Sequence, residues 1–145
     1  MSSREIGFAL HFNKGLAGAP PEAIERSRDT ATNPVVLSAF ALAIVATGGP
    51  SRYPGLPGAP FDNTAASRDA AAVDRAMVRL RAMAPEAGSY VSESNYFNPN
   101  WQKAFWGTSV DRLARAKDKY DPDGLFFVHH GIGSEKWRED GFTRL

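Results

Sequence analysis

Apolar and polar positions along the chain change period several times, and each change marks an element. Ile6 to Phe12 is apolar and β-compatible, and it ends at the punctuation of Gly15, Gly18 and Pro20-Pro21. Glu22 to Arg28 suits a short helix or a solvated turn. Asn33-Pro34 then sets an extended entry to Val35 through Val45, a run read as a mostly buried strand. Its alanines and leucines suit a helix as well, and periodicity does not separate the two. From Asp69 onward Val73, Ala76, Met77, Leu80 and Ala84 recur at helical spacing, with Arg68, Arg75, Arg79 and Arg81 off that stripe, so a helix is expected to stop before Pro85.

Beyond Gly88, the Tyr and Val of Ser89 to Ser94 predict a short strand. Thr108 with Asp111 three residues on forms a capping-box variant, and Val110, Leu113, Ala114 and the Lys117 stem share one face of the helix it opens. That helix must end before Asp121-Pro122, and Leu125 to Val128 is strongly β-forming. Gly131 to Leu145 is too polar and glycine-broken for a core element. Gly48 to Pro60 concentrates four prolines and four glycines in thirteen residues, so it is expected to be a loop. Four short strands alternating with two or three helices give an α+β fold, an antiparallel sheet flanked by helices.

Composition narrows the function classes. With 145 residues, 43% hydrophobic and 23% charged, the chain falls among ordinary globular domains. Its 17 basic and 16 acidic side chains are interspersed, which leaves no basic stripe for phosphates, so no nucleic-acid partner is expected. No cysteine is present, which excludes disulfides and thiolate metal ligands within the chain. The start lacks the pattern of a secretory signal. The longest apolar run, Val35 to Thr47, is well short of the roughly 20 residues a membrane-spanning helix needs, so no membrane partner is expected.

The generic catalytic motifs are missing. Neither a dinucleotide fingerprint nor a phosphate loop occurs, since Gly131-Ile132-Gly133 is half of one and lacks a following helix. Ser134 lacks a nucleophile elbow. His129 and His130 are adjacent, so on a strand they face opposite sides and do not chelate together; His11 stands alone, and no metal site is expected. What remains is Tyr90 to Tyr96, where Tyr90, Glu93 and Tyr96 place two phenols and a carboxylate beside Phe97, Trp101, Phe105 and Trp106. Such a group suits a substrate-side wall, but from the residues alone it reads more readily as core and rim aromatics, since aromatics dominate cores by area.

Trp101-Gln-Lys-Ala-Phe-Trp-Gly107, then Arg112-Leu113 and Lys117, then Lys119-Tyr-Asp-Pro-Asp-Gly-Leu-Phe126, resembles the C-terminal signature of the berberine-bridge-enzyme-like FAD-linked oxidoreductases of the vanillyl-alcohol-oxidase-type superfamily. The likeness extends through Gly88 to Glu93 and Gly131 to Trp137, and more weakly through His11 to Gly15 and Asn33 to Leu37. It implies residues 1–86 as the C-terminal portion of a substrate-binding domain and residues 87–145 as the berberine-like segment. It also implies FAD as cofactor, with hydride passing from an organic substrate to flavin. In many members the equivalent strand reads Tyr-x-Asn-Tyr over the flavin, and its fourth residue accepts the substrate proton. Tyr90 matches the first position, Ser92 replaces the asparagine and Glu93 replaces the basic tyrosine.

The resemblance therefore makes Tyr90 and Ser92 the flavin-facing candidates, and Glu93, Tyr90 and Tyr96 the catalytic ones. Desolvation is what would make a carboxylate such as Glu93 a useful base, and a salt bridge is its ordinary alternative. Trp106-Gly107, Arg112, Leu113, Lys117 and Tyr120-Asp121-Pro122 are expected to pack and turn the last segment toward an FAD-binding domain, carried on missing N-terminal sequence or a separate chain. By itself the chain is then expected to be inactive and to retain no FAD. The rival from another class is a free-standing, non-catalytic domain that binds a small ligand or a partner through its sheet and aromatic face.

Overall fold

The structure, a computed structural model, describes residues 6–12, 16, 18–48, 57 and 62–145. By internal contacts the chain divides into two compact units, Met1–Asn13 with Phe40–Glu86, and Lys14–Ala39 with Ala87–Leu145.

The first unit is built on β1 (Gly7–Phe12) and β2 (Ala41–Ala46), paired antiparallel from Gly7 opposite Ala46 to Phe12 opposite Ala41. A lone two-stranded ribbon is marginal in water. Here β2 packs on the long helix α2 (Asn63–Met83), and its residues other than Ala43 and Ala46 are half-buried. The Asp62 carboxylate caps α2 by accepting from the Ala65 amide at 3.0 Å. The expected stripe of Val73, Ala76, Met77 and Leu80 is the half-buried face, while Arg68, Arg75, Arg79 and Arg81 are exposed; Ala84 lies just beyond the helix end. The Gly48 to Pro60 loop lies mostly outside the described residues.

Val35 to Val45 is not one strand. Asn33 is extended, as a residue before proline should be, but Pro34 opens a 3-10 turn over Pro34–Leu37 whose first free amide, on Val35, is taken by the Asn33 side chain at 3.1 Å. Only Ala41 onward pairs as β2.

The second unit contains α1 (Pro21–Arg28), α3 (Trp101–Trp106) and α4 (Val110–Tyr120). Pro21 sits in the first turn of α1, where its missing N–H costs no helix bond. The predicted face of α4, Val110, Leu113, Ala114 and Lys117, is half-buried. Its predicted cap does not form: Gly107–Ser109 is a 3-10 turn running straight into α4, so Thr108 lies within the turn and Ser109, the residue before α4, makes no side-chain cap.

Two further predicted strands are absent among the described residues. Ser89 to Ser94 is extended at Tyr90 but closes into a 3-10 turn at Val91–Glu93, with the Glu93 amide donating to the Tyr90 carbonyl at 3.1 Å. Leu125 to Val128 has its backbone claimed by side chains. Asp121 accepts from the amides of Leu125 at 2.8 Å and Phe126 at 3.1 Å, and Lys117 donates to the Phe126 carbonyl at 2.7 Å. Strand propensity expresses packing against a paired neighbour, and these segments have none. The α+β class stands, with a sheet of two strands among the described residues.

Asn33 joins the second unit's parts. Its Nδ2 donates to the Ala104 carbonyl at 2.9 Å, which also accepts from the Ser89 amide at 2.8 Å. A Cβ built at Gly107, where φ is +53°, would come within 2.5 Å of Asn33 Oδ1. Arg112 donates to the Thr30 carbonyl and pairs with Asp29 at 3.4 Å, fastening α4 to the end of α1. Phe105 is buried at the centre of this unit, with Asn98 and Ser109.

Candidate functional site

Three of the four expected site residues, Tyr90, Ser92 and Glu93, lie on one exposed turn of the second unit. Tyr90 is the extended residue that opens the 3-10 turn, and Ser92 and Glu93 lie within it; all three are exposed. Glu93 thus keeps its hydration within this chain, and any desolvation that would make it a neutral-pH base has to come from another surface.

Tyr96 stands apart from that turn in its contacts. Its ring meets Phe97 edge-on at 5.1 Å and lies face to face with His129, with centroids 3.9 Å apart and planes 10° apart. His129 Nε2 is also 3.1 Å from the Tyr96 carbonyl oxygen. The two histidines do not point to opposite sides. The segment is not a strand, and His130 adopts a left-handed φ of 57°, which sets its ring 3.8 Å from that of His129. His130 then stacks on Trp101 at 5.2 Å and 12°. Burial pushes the His130 imidazole below its ordinary pKa, and the neighbouring His129 adds to the effect. Sequence reasoning treated these histidines as bystanders, and no periodic signal marks a left-handed histidine.

The other aromatics divide. Phe105 is core, Trp101 and Trp106 are half-buried, and Phe97 is exposed. Trp106 Nε1 and Asn98 Nδ2 are buried without a hydrogen-bond partner. Among the described residues no cluster of three or more histidine or carboxylate side chains is arranged for a metal. Nor is any helix there long and apolar enough to cross a membrane.

Lys117 and Asp121 form a close ion pair that supports the turn carrying Leu125 and Phe126. The Lys117 ammonium holds the Asp121 carboxyl below the usual range; desolvation opposes it, and the Phe126 and Leu125 amides add smaller lowering contributions. Gly124 has a φ of +66°, and a Cβ there would lie 2.5 Å from the Trp137 ring, so the turn predicted at this glycine forms although no strand follows it. The cleft lined by Lys117, Phe126, Val128 and Trp137 leaves room of about 10 Å³, on the order of a single water and far below the ~300 Å³ at which ligand pockets begin.

The family described as berberine and berberine-like matches residues 89–133. The match spans Tyr90, Ser92, Glu93 and Tyr96 together with the histidine pair. An FAD-linked oxidoreductase, notD', of Aspergillus versicolor is 52% identical over 62 residues, 43% of this chain and 10% of the relative. VAO-type flavoprotein oxidase VAO615 of Thermothelomyces thermophilus is 40% identical over 80 residues, 55% of this chain and 14% of the relative. An uncharacterized FAD-linked oxidoreductase of Arthroderma benhamiae is 45% identical over 65 residues, 45% of this chain and 11% of the relative. The chain thus spans between 10% and 14% of the length of these relatives. The crystal structure of VAO-type flavoprotein MtVAO713 from Myceliophthora thermophila C1 superposes with a TM-score of 0.66 at 20% identity, over 93% of this chain and 22% of that one. The chain is thus similar in fold to part of a VAO-type flavoprotein, and the relatives it matches include FAD-linked oxidoreductases.

Proposed function

We propose that this chain contributes the substrate-side wall of an FAD-linked oxidoreductase, completed by an FAD-binding domain outside the sequence described. The observation that carries this reading is the berberine-like match over residues 89–133, which includes the exposed turn bearing Tyr90, Ser92 and Glu93. Tyr90 and Ser92 would face the isoalloxazine, Tyr90 with a ring for contact and Ser92 with a hydroxyl that donates or accepts. Bound flavin supplies the hydride acceptor. Glu93, Tyr90 and Tyr96 are the groups that would take the substrate proton, and closure of the flavin domain over the turn would remove water from Glu93 and raise its basicity. The substrate class is an alcohol, amine or activated carbon.

The decisive experiment is reconstitution of the chain, fused or co-expressed, with the FAD-binding region of a relative. Substrate-dependent bleaching of the flavin, lost when the chain is left out, supports the proposal. An equal rate without the chain would sink it. The binding-module reading draws on the full exposure of β1, and it gains if the chain is a sharply melting monomer that leaves such flavin domains untouched.

A further inference from the structure

We propose that His129 is a positioning residue for Tyr96, fixing its ring plane by a face-to-face stack and its backbone by a hydrogen bond to the same residue's carbonyl. The inference deepens the proposed function, because it rests on Tyr96 being among the groups that face substrate. Tyr96 is 59% exposed, and an exposed tyrosine on a turn is free to exchange among staggered rotamers. Two contacts from one imidazole remove that freedom. The stack, at 3.9 Å and 10°, holds the ring, and Nε2 at 3.1 Å from the carbonyl oxygen holds the peptide.

A carbonyl oxygen only accepts, so Nε2 must carry the hydrogen, and in the neutral ring Nδ1 is then the unprotonated nitrogen. His130 holds His129 from behind. Its left-handed backbone places the two rings 3.8 Å apart, and its own ring lies on Trp101 at 5.2 Å. Four rings, Tyr96, His129, His130 and Trp101, thereby link the turn at residue 96 to the start of α3. A tyrosine serving only as rim would need no such support, and neither Tyr90 nor Tyr120 shows a comparable stack among the described contacts.

The test is made on the 145-residue chain with ring-labelled tyrosine, following the Tyr90, Tyr96 and Tyr120 ring resonances by NMR. The parent chain should show Tyr96 displaced upfield by the imidazole relative to Tyr120. His129→Phe should keep the displacement, and His129→Ala should lose it and bring Tyr96 to the position of an exposed tyrosine. Tyr96 signals unchanged in His129→Ala would overturn the proposal. If His129→Ala fails to fold, a nuclear Overhauser contact between the Tyr96 and His129 rings in the parent chain decides: its presence supports the stack and its absence overturns it. In the reconstituted enzyme, His129→Ala should slow flavin reduction with KM little changed, and His129→Phe should restore most of the rate. Tyr96→Phe with normal flavin reduction would defeat the catalytic reading of Tyr96 and leave the positioning result standing.

Discussion

Asn33 Nδ2 reaches across 71 residues of sequence to the carbonyl of Ala104, and the Asn33 carboxamide oxygen sits where a side chain on Gly107 would have to go. One amide side chain therefore caps its own 3-10 turn, anchors the last residues of α3 and fills the space that glycine leaves open. The berberine-like turn bearing Tyr90 begins one residue after Ser89, which shares the same carbonyl acceptor.

Asn33→Ala removes a bond on each side of that amide and should lower stability by about 1–3 kcal/mol, the scale for leaving partners of a part-buried hydrogen bond unsatisfied. Gly107→Ala meets both the positive φ and the Asn33 oxygen, so a loss of about 1–3 kcal/mol is expected there too. Urea denaturation followed by tryptophan fluorescence measures both. In the double variant the losses should sum to more than is observed, because Asn33→Ala removes the clash that Gly107→Ala creates. Strict additivity would contradict a shared site.

Much of the secondary structure was legible because it rests on local physics. The α2 stripe and the α4 face follow from periodicity, and their apolar positions are half-buried; β1 follows from its β-compatible composition and pairs with β2, although its side chains stay exposed. The failures share a cause. Val35, Val91 and Leu125 to Val128 carry strand-forming residues, yet Asn33, the Tyr90 carbonyl and the Lys117–Asp121 pair respectively bind the backbone groups a ladder would need. Those competitors are side chains and carbonyls whose reach depends on the fold. At the site, Tyr90, Ser92 and Glu93 were placed together by adjacency alone, whereas the stack of Tyr96 on His129 depends on a left-handed residue that composition does not reveal.

Asp121 gives an acid-side prediction. Its folded pKa lies below the usual carboxylate value, so the unfolded chain binds the proton first as pH falls. The pair's contribution is complete above about pH 4 and is lost as pH descends toward the lowered value. Acid unfolding of Asp121→Asn should be shallower than that of the parent below about pH 4. Identical acid slopes would contradict a role for this carboxylate.

His130 acts in the neutral range and in the same direction. With its folded pKa lowered by burial and by His129, the unfolded state takes up the proton first below the ordinary value near 6.5. Stability is therefore full above about pH 6.5 and declines as pH falls through that value. Thermal melts at pH 7.5 and 5.5 should differ in the parent and differ less in His130→Asn, which tolerates the left-handed backbone without titrating. A larger gap in the variant would reverse the assignment.

For the chemistry, the chain alone should remain colourless after incubation with FAD and desalting, since the proposed reading places the FAD-binding domain outside it. A stoichiometric yellow complex would refute that. In the reconstituted enzyme, Glu93→Gln should slow flavin reduction by roughly 100-fold if Glu93 is the base, with the acid limb of the pH profile lost and substrate binding little altered. Normal reduction in Glu93→Gln, with a comparable loss in Tyr90→Phe or Tyr96→Phe, would move the role to a phenol.

The short ribbon of the first unit carries a hazard of its own. Among the described residues β1 has β2 as its hydrogen-bonded neighbour, and all six of its residues are exposed. Among the described residues no strand pairs with its other side, and the strand carries Phe8, Leu10 and Phe12 with neither a lysine nor a proline to discourage a newcomer. The border that lets a further strand extend such a sheet is equally a template for a second molecule. Where no other chain covers it, this edge is where concentration-dependent association is expected to begin, and light scattering left unchanged by Leu10→Lys would contradict that.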